Sequence, residues 1–410
     1  MTTSPAAGMQ TVAGAQQRIL DGISPLRTER IPLNEALGRV LAVAVVSRRT
    51  LPPFDNSGMD GYAVRWRDTQ GASSQHPVEL PVHGESRAGA APGRALERGT
   101  AMRIMTGAPM PEGADAVVRY EDTDSGRDRV QVHVAVTHGT NVRHAGEDMN
   151  PGDEILTAGR RLRPADLAAC AALGNPWLEV HRRPRVAVVS TGDELVDVER
   201  EPGPGQIVDS NAVAIAAAVR EAGGEPVRIG IARDTVVDLR RALGEAARCD
   251  LIVSSAGVSM GDHDHVRDVV DEMGSMGFWR VAMRPGKPLA VGVVQGVPFI
   301  GLPGNPVSSQ VTFELFARPA VLALQGATEV HRRRISARAL QDMDKPEGLE
   351  TFHRGVLTPA HHGELPGVRL TGPQGSGIMR SLVIADCLIA LPAAGQQIAA
   401  GTVVEIIPLV

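Results

Sequence analysis

The chain has 410 residues, 43% of them apolar and 22% charged, and a formal net charge of −5. That profile predicts a soluble globular protein of roughly two to four domains and excludes a global basic field of the kind that recruits nucleic acid. Aromatic residues make up only 3%, too few for the stacking platforms of single-strand binders. No nucleic-acid partner is expected.

Cys170, Cys249 and Cys387 are far apart and form no CxxC pair, so they read as buried thiols in a reducing compartment. The opening Met1-Thr2-Thr3-Ser4-Pro5 has no basic stretch leading into an apolar one, and no apolar run is long enough to span a bilayer. We expect a cytoplasmic protein with no membrane partner.

In chain order, Val12, Ile19, Leu20 and Ile23 have helical spacing and predict a short amphipathic helix. From Ile31 to Val136 the pattern turns to short β-rich runs, Val40–Val46, Ala114–Arg119 and Val130–Val136, broken by turns. Leu162–Ala172 reads as a helix, and Arg182-Arg183-Pro184 breaks the chain. Beyond it strands and helices alternate. Val186–Ser190 is a strand; Ser210-Asn211 caps a helix through Arg220 that Gly223-Gly224 ends. Val227–Ile231 follows, then Thr235 and Asp238 as a capping box for a helix to Arg248. Leu251–Ser254, a Gly-rich loop and a helix near Val266–Met273 come next. Trp279–Met283, Leu289–Val294 and Pro298–Ile300 supply strands, and Ser308–Ala323 a closing helix. The alternation predicts a doubly wound α/β sheet. After Gly326 it stops, and runs such as Cys387–Leu391 and Val403–Ile407 predict a small β-barrel-like domain. The expected layout is an N-terminal region over 1–182 made of linker helices with an inserted β-rich domain at about 50–140, an α/β domain over 183–327, and a β domain over 328–410.

The polar signals of the α/β region share one class of position. Thr191-Gly192-Asp193-Glu194, Arg233-Asp234-Thr235, Ala256–Asp264, Arg284-Pro285-Gly286-Lys287-Pro288 and Leu302-Pro303-Gly304-Asn305-Pro306 each follow a strand. Carboxyl ends of strands are where open α/β sheets bind ligands. The Gly257–Gly261 loop runs into a helix start, so its amides can hold a phosphate or oxyanion. Arg284 and Lys287 add positive charge, and Ser190 and Ser259 hydroxyl donors. Glu194, Asp234, Asp262 and Asp264 sit beside them. Carboxylates repel a bound anion unless a divalent cation lies between, and oxygen donors suit Mg²⁺. An Mg²⁺-bridged phosphate compound is the expected ligand.

Each feature also has a plainer explanation. Asp193-Glu194 after a glycine is a common solvated turn, and Asp234 can lie in a turn near a helix cap. Gly257–Gly261 has no Walker lysine. Pro303-Gly304-Asn305-Pro306 works as a rigid turn, and the Pro52–Ala63 stretch, rich in Asp, Asn and Gly, as turn chemistry. His263 and His265 lack a partner cluster and read as surface residues. Walker A, dinucleotide GxGxxG and serine-nucleophile motifs are absent from the sequence.

Seven segments in order resemble molybdopterin molybdenumtransferases, the family that takes in the E domain of gephyrin-like proteins. They are Pro52–Val64, Arg103–Ala108, Gly146-Glu147-Asp148, Ser190–Leu195, Gly257–Asp264, Arg284–Pro288 and Gly301–Ser308. The match spans nearly the whole chain. Gly58 stands where the family usually has Ala, Arg280 and Arg284 where lysines are common, and His263 and His265 where aromatics are frequent.

The resemblance implies an elongated multi-domain homodimer with active sites shared between subunits, and an α/β domain that binds molybdopterin. It implies Mg²⁺-dependent cleavage of adenylylated molybdopterin, with molybdate inserted into the dithiolene and AMP released. Asp60, Asp148, Glu194, Asp234 and Asp264 fall on catalytic positions, with Glu194, Asp234 and Asp264 as metal ligands; Asp238 is the alternative to Asp234. Thr106, Ser190, Gly257, Ser259, Gly261, Arg280, Arg284, Lys287, Pro303 and Pro306 fall on substrate positions, and Arg354 and Ser376 match more loosely. Docking to molybdopterin synthesis enzymes and to acceptor molybdoenzymes would follow. Two other readings remain: the adenylyltransferase one step earlier, which resembles residues 185–325 alone, and a non-catalytic scaffold of the gephyrin type.

Overall fold

A computed structural model describes residues 8–90, 94–255, 265–360 and 363–409. They form two compact units, one of residues 44–157 and 168–175, the other of residues 1–43, 158–167 and 176–410.

The smaller unit is built on a five-stranded sheet in the order Ala116–Arg119, Gly61–Val64, Ala101–Ile104, Val78–Ser86, Arg129–Val132. All pairings are antiparallel except that of Val78–Ser86 with Ala101–Ile104. Successive strand side chains face opposite ways. Tyr62, Val64, Val118 and Val130 therefore pack on one face, and Ala63, Met102, Ile104 and Val117 on the other. Gly61 has no substitute here, because a Cβ would collide with the carbonyl of Val118. Of the predicted runs, Ala114–Arg119 becomes the strand Ala116–Arg119, Val130–Val136 only the strand Arg129–Val132, and Val40–Val46 only Val45–Val46.

In the larger unit a six-stranded sheet runs in the order Glu225–Ala232, Arg185–Thr191, Leu251–Ser255, Val297–Leu302, Pro288–Val294, Gly274–Arg280. The first four strands are parallel. Pro288–Val294 is antiparallel to both its neighbours, so Gly274–Arg280 again points with the first four. Helices cover both faces, as the alternation predicts. Val186, Val188, Leu251 and Val253 pack against the helices Val12–Asp21, Ser210–Glu221 and Arg318–Leu324. Ala187, Val189 and Ile252 pack against Val236–Ala246 and His265–Met273. Each fully buried Val or Leu contributes about 1.5–3 kcal/mol relative to exposure.

Three elements differ from expectation. The cap of helix Ser210–Glu221 is Asp209, whose side chain accepts from the Ala212 amide, one residue before the predicted Ser210. The predicted strand Trp279–Met283 begins earlier, as Gly274–Arg280, with Met283–Arg284 a separate strand. A Cβ on Gly274 or Gly292 would strike the opposite strand's carbonyl, so glycine at both positions permits the pairing. The predicted Ser308–Ala323 helix is Pro306–Thr312, a π turn over Phe313–Ala317, and Arg318–Leu324. Pro319 cannot donate to the carbonyl four residues back, and the ladder shifts before it.

The C-terminal strands Glu350–Thr358, Gly367–Leu370, Ile335–Ala339, Val403–Pro408 and Cys387–Leu391 close into a barrel, because the last pairs again with the first. Ala337, Val368, Ile389 and Ile406 fill its interior. Met283–Arg284 adds to Glu350–Thr351 at the barrel's edge.

Candidate active site

Three described loops of the α/β sheet, after Arg185–Thr191, Glu225–Ala232 and Val297–Leu302, lie at one edge, the carboxyl ends of its parallel strands. The antiparallel Pro288–Val294 begins at that edge, which brings Arg284–Pro288 to it as well. Strand order reverses between Arg185–Thr191 and Leu251–Ser255, the place where such sheets open a crevice.

The loop after Arg185–Thr191 carries the carboxylates. Gly192 has φ +146, and the Glu194 carboxylate folds back over its α-carbon, 2.5 Å from where a Cβ would stand. Across from it, the Asp234 amide donates to Asp193 at 3.4 Å. Burial raises the Asp234 carboxyl above its usual value, and the negative charges of Asp193 and Glu194 raise it further. Asp238 turns elsewhere, toward Arg241 at 3.9 Å.

Glu194, Ser255, Pro303 and Pro306 line a cleft of about 500 Å³, together with Asp209 and Asn211. Asn211 donates to the Gly304 carbonyl at 2.8 Å and fixes the Pro303–Pro306 loop against the helix start. Ser190 is buried behind this cleft, its hydroxyl 3.1 Å from that of Ser255. Ser255, Asp209 and Asn211 escaped sequence reasoning; the Asp209-Ser210-Asn211 cap cluster was the available signal.

On the adjoining loop, Arg284 and Lys287 are exposed and line a cleft of about 380 Å³ with Ser308, Gln374 and Ser376. Gly286 between them has φ +97, and a Cβ there would press on the Thr312 methyl. The Ser376 carbonyl accepts from the Val307 amide at 3.1 Å, tying the barrel loop to the helix start. Arg284 and Arg354 line a further cleft of about 610 Å³. Arg354 is fully buried; its Nε donates to the Ser381 hydroxyl at 3.1 Å and its Nη2 to the Gly375 carbonyl at 3.2 Å. Its Nη1 has no partner, and burial pulls the guanidinium down to about 10. Arg280 ends its strand, where its carbonyl accepts from the Gln10 amide at 2.8 Å.

Asp60, Thr106 and Asp148 belong to the smaller unit and are exposed on its loops. The Asp60 carboxylate accepts from the Thr106 amide at 2.6 Å and hydroxyl at 2.9 Å, and the amide bond first, then the hydroxyl, holds it below the usual carboxylate value. Gly257, Ser259, Gly261, Asp262, His263 and Asp264 lie outside the described residues. Among the described residues no three His, Cys, Asp or Glu side chains gather closely enough to hold a metal ion.

Three family matches cover the chain: the MoeA N-terminal region (domain I and II) over residues 10–174, a probable molybdopterin binding domain over 187–323, and the MoeA C-terminal region (domain IV) over 336–409. Molybdopterin molybdenumtransferase 2 of Mycobacterium tuberculosis is 40% identical over 405 residues, 97% of this chain and 99% of its own. The molybdopterin molybdenumtransferase of Haemophilus influenzae is 35% identical, with 98% of each chain covered. A crystal structure of the molybdopterin biosynthesis moeA protein from Pyrococcus horikoshii superposes with a TM-score of 0.83 at 29% identity, covering 98% of this chain and 100% of that one.

Proposed function

The chain belongs to the molybdopterin molybdenumtransferase family, and from that premise we propose that it cleaves adenylylated molybdopterin, inserts molybdate into the dithiolene and releases AMP, with Mg²⁺ as its metal. Transfer of molybdenum in cofactor biosynthesis is the family's activity.

The observation that carries the finer reading is the pairing of Glu194 with Asp234. Glu194 is held over Gly192, and on the exposed neighbouring loop the Asp234 carboxyl is raised by desolvation and by the charges of Asp193 and Glu194, with His265 opposing. Such a group beside an anionic substrate is stable only with a cation between them. The carboxylates are hard oxygen donors, which fits Mg²⁺, although the His265 imidazole is near enough to act on Asp234; Asp264 joins them by sequence position. Mg²⁺ bound there supplies polarisation of the phosphoryl group and offsets charge on the departing AMP.

The chain's own residues do the rest. Arg284 and Lys287 draw the terminal phosphate to the edge, with Arg280, Ser259 and the amides of Gly257 and Gly261 assigned to it by sequence. Arg354 keeps Nη1 available to an oxyanion, with Ser376 on the neighbouring loop, and so suits molybdate. Pro303 and Pro306 shape the wall of the cleft, with Ser190 supporting it from behind through Ser255. Asp60 and Asp148 belong to the catalytic set by sequence, and Thr106 to the substrate positions. The enzyme works in the cytoplasm as a homodimer with shared active sites, receiving substrate from molybdopterin synthesis enzymes and delivering to acceptor molybdoenzymes.

Reconstitution from adenylylated molybdopterin, molybdate and Mg²⁺ tests the reading. AMP release coupled to active cofactor is expected, lost in Glu194→Gln and after EDTA, and restored by Mg²⁺. Adenylylation of molybdopterin from ATP without molybdate would instead identify the earlier enzyme, and recovery with Zn²⁺ but not Mg²⁺ would overturn the metal.

A further inference from the structure

Asp55 lies five residues before Asp60, and nothing in the proposed chemistry uses it. Its carboxylate nevertheless reaches across the sequence with both oxygens. Oδ1 accepts from the Ala145 amide at 2.7 Å, and Oδ2 lies 3.2 Å from His144 Nδ1. The amide bond is the main cause that holds this carboxyl below its usual value, with the His144 hydrogen bond and charge assisting against a modest burial cost.

Backbone pairing explains the need. Asn56 pairs with Arg143 and Ser57 with Val142, and there the ladder stops. It resumes where the Gly146 amide donates to the Pro52 carbonyl at 3.0 Å and the Asp148 amide to that of Leu51 at 3.1 Å. Between those ties only side chains can join the two segments. Asp55 fills that gap, while the Glu147 carboxylate accepts from the His144 amide at 2.9 Å and closes the turn. The Asp55 carbonyl also accepts from the Met110 amide at 2.8 Å, and Ser57 exchanges backbone bonds with Gly107 and Ala108. Asp55 thus meets all three segments that carry Asp60, Thr106 and Asp148.

We propose that Asp55, with His144 as its partner, is a positioning residue that sets the 144–148 loop and through it the Asp148 carboxylate. The inference rests on the reading of Asp148 as part of the active site. Neither side chain is buried: Asp55 is 49% and His144 56% exposed. Their contact therefore adds little to global stability, and its loss acts on loop geometry. A misplacement of about 1 Å can cost a rate on the order of 100-fold.

The test measures AMP release by Asp55→Ala, Asp55→Asn, Asp148→Asn and the double variant Asp55→Ala/Asp148→Asn, with Tm for each. Asp55→Ala should lower kcat at least tenfold with KM for adenylylated molybdopterin and Tm close to wild type. Asp55→Asn keeps an acceptor for Ala145 and should fall between. The double variant should be no slower than Asp148→Asn alone, since Asp55 acts through that carboxylate. Wild-type kcat in Asp55→Ala overturns the proposal, as does an equal loss on both backgrounds, which marks a general structural role. Should Asp55→Ala not fold, Asp55→Asn on the two backgrounds gives the same comparison. Full activity in Asp148→Asn would instead remove the reading of the site on which the proposal stands.

Discussion

The Glu194 carboxylate occupies the space that a side chain on Gly192 would need, with Oε2 2.5 Å from the position of a Cβ. A φ of +146 at residue 192 leaves the backbone in a region glycine favours. Gly192→Ala should therefore swing Glu194 away from Asp234 before it disturbs the strand. The displaced atom ends a flexible side chain, but a Cβ at that φ is strained, so stability should fall by about 1–3 kcal/mol. Mg²⁺-dependent AMP release should fall by more than tenfold, with a higher Mg²⁺ concentration needed for half activity. An unchanged Mg²⁺ titration would detach Glu194 from the metal.

Asp234 offers the converse. Its carboxyl is raised above 3.8, first by burial and then by Asp193 and Glu194. An acid raised on folding opposes folding once ionised, so its cost is absent below 3.8 and grows as pH rises through the folded value. In metal-free protein, Asp234→Asn should raise Tm at pH 7, and the gain should shrink as pH is lowered toward 4 (about the usual carboxylate value). Turnover should be lost at every pH. Mg²⁺ should raise the Tm of wild type and not that of the variant. A Tm gain equal at pH 4 and pH 7 would show that ionisation is not its source.

The α/β sheet was legible because its strands are short apolar runs separated by caps, and Thr235 does cap its helix by accepting from the Asp238 amide at 3.2 Å. The close strand approach that requires glycine at Gly274 and Gly292 was not legible, because sequence does not distinguish a turn from a close approach. The loops at the sheet edge were found by their position after strands. Depth was not: Ser190 reads like a ligand donor yet is buried behind Ser255. Arg354 was a loose match in sequence, and its burial and partnerless Nη1 are visible only in the structure. Long-range side-chain ties such as Asp55 to Ala145 leave no periodic trace at all.

Arg354 predicts a split between charge and shape. Arg354→Lys keeps a cation but loses the forked donors that hold Ser381 and Gly375 and leave Nη1 available. KM for molybdate should rise at least tenfold, with KM for adenylylated molybdopterin nearly unchanged. Arg354→Ala leaves a cavity in the barrel wall and should cost on the order of 3 kcal/mol of stability. Because burial lowers the guanidinium to about 10, molybdate use by wild type should decline as pH rises through that value. A lysine variant with normal molybdate KM would assign Arg354 to structure alone.

Lys287 tests how the edge attracts its substrate. Its side chain is exposed on a loop fixed at one end by the Val281 amide, which donates to the Lys287 carbonyl at 2.9 Å. Gly286, at φ +97, lets that loop turn tightly beside Thr312. The backbone is thus anchored while the ammonium extends to solvent, so Lys287→Ala should change the unfolding free energy by no more than about 0.5 kcal/mol. What it removes is a screened Coulomb attraction for the phosphate. Screening lengths are about 30 Å at 0.01 M salt and about 10 Å at 0.1 M. The affinity lost for molybdopterin should therefore be largest at low salt and narrow as salt rises. Arg284, on the same loop, remains in the variant, so binding should weaken without vanishing. Titrating wild type and variant with molybdopterin across this salt range reads the difference directly. If the two affinities stay parallel at every ionic strength, or coincide, Lys287 contributes no charge to the site and the phosphate belongs on another loop.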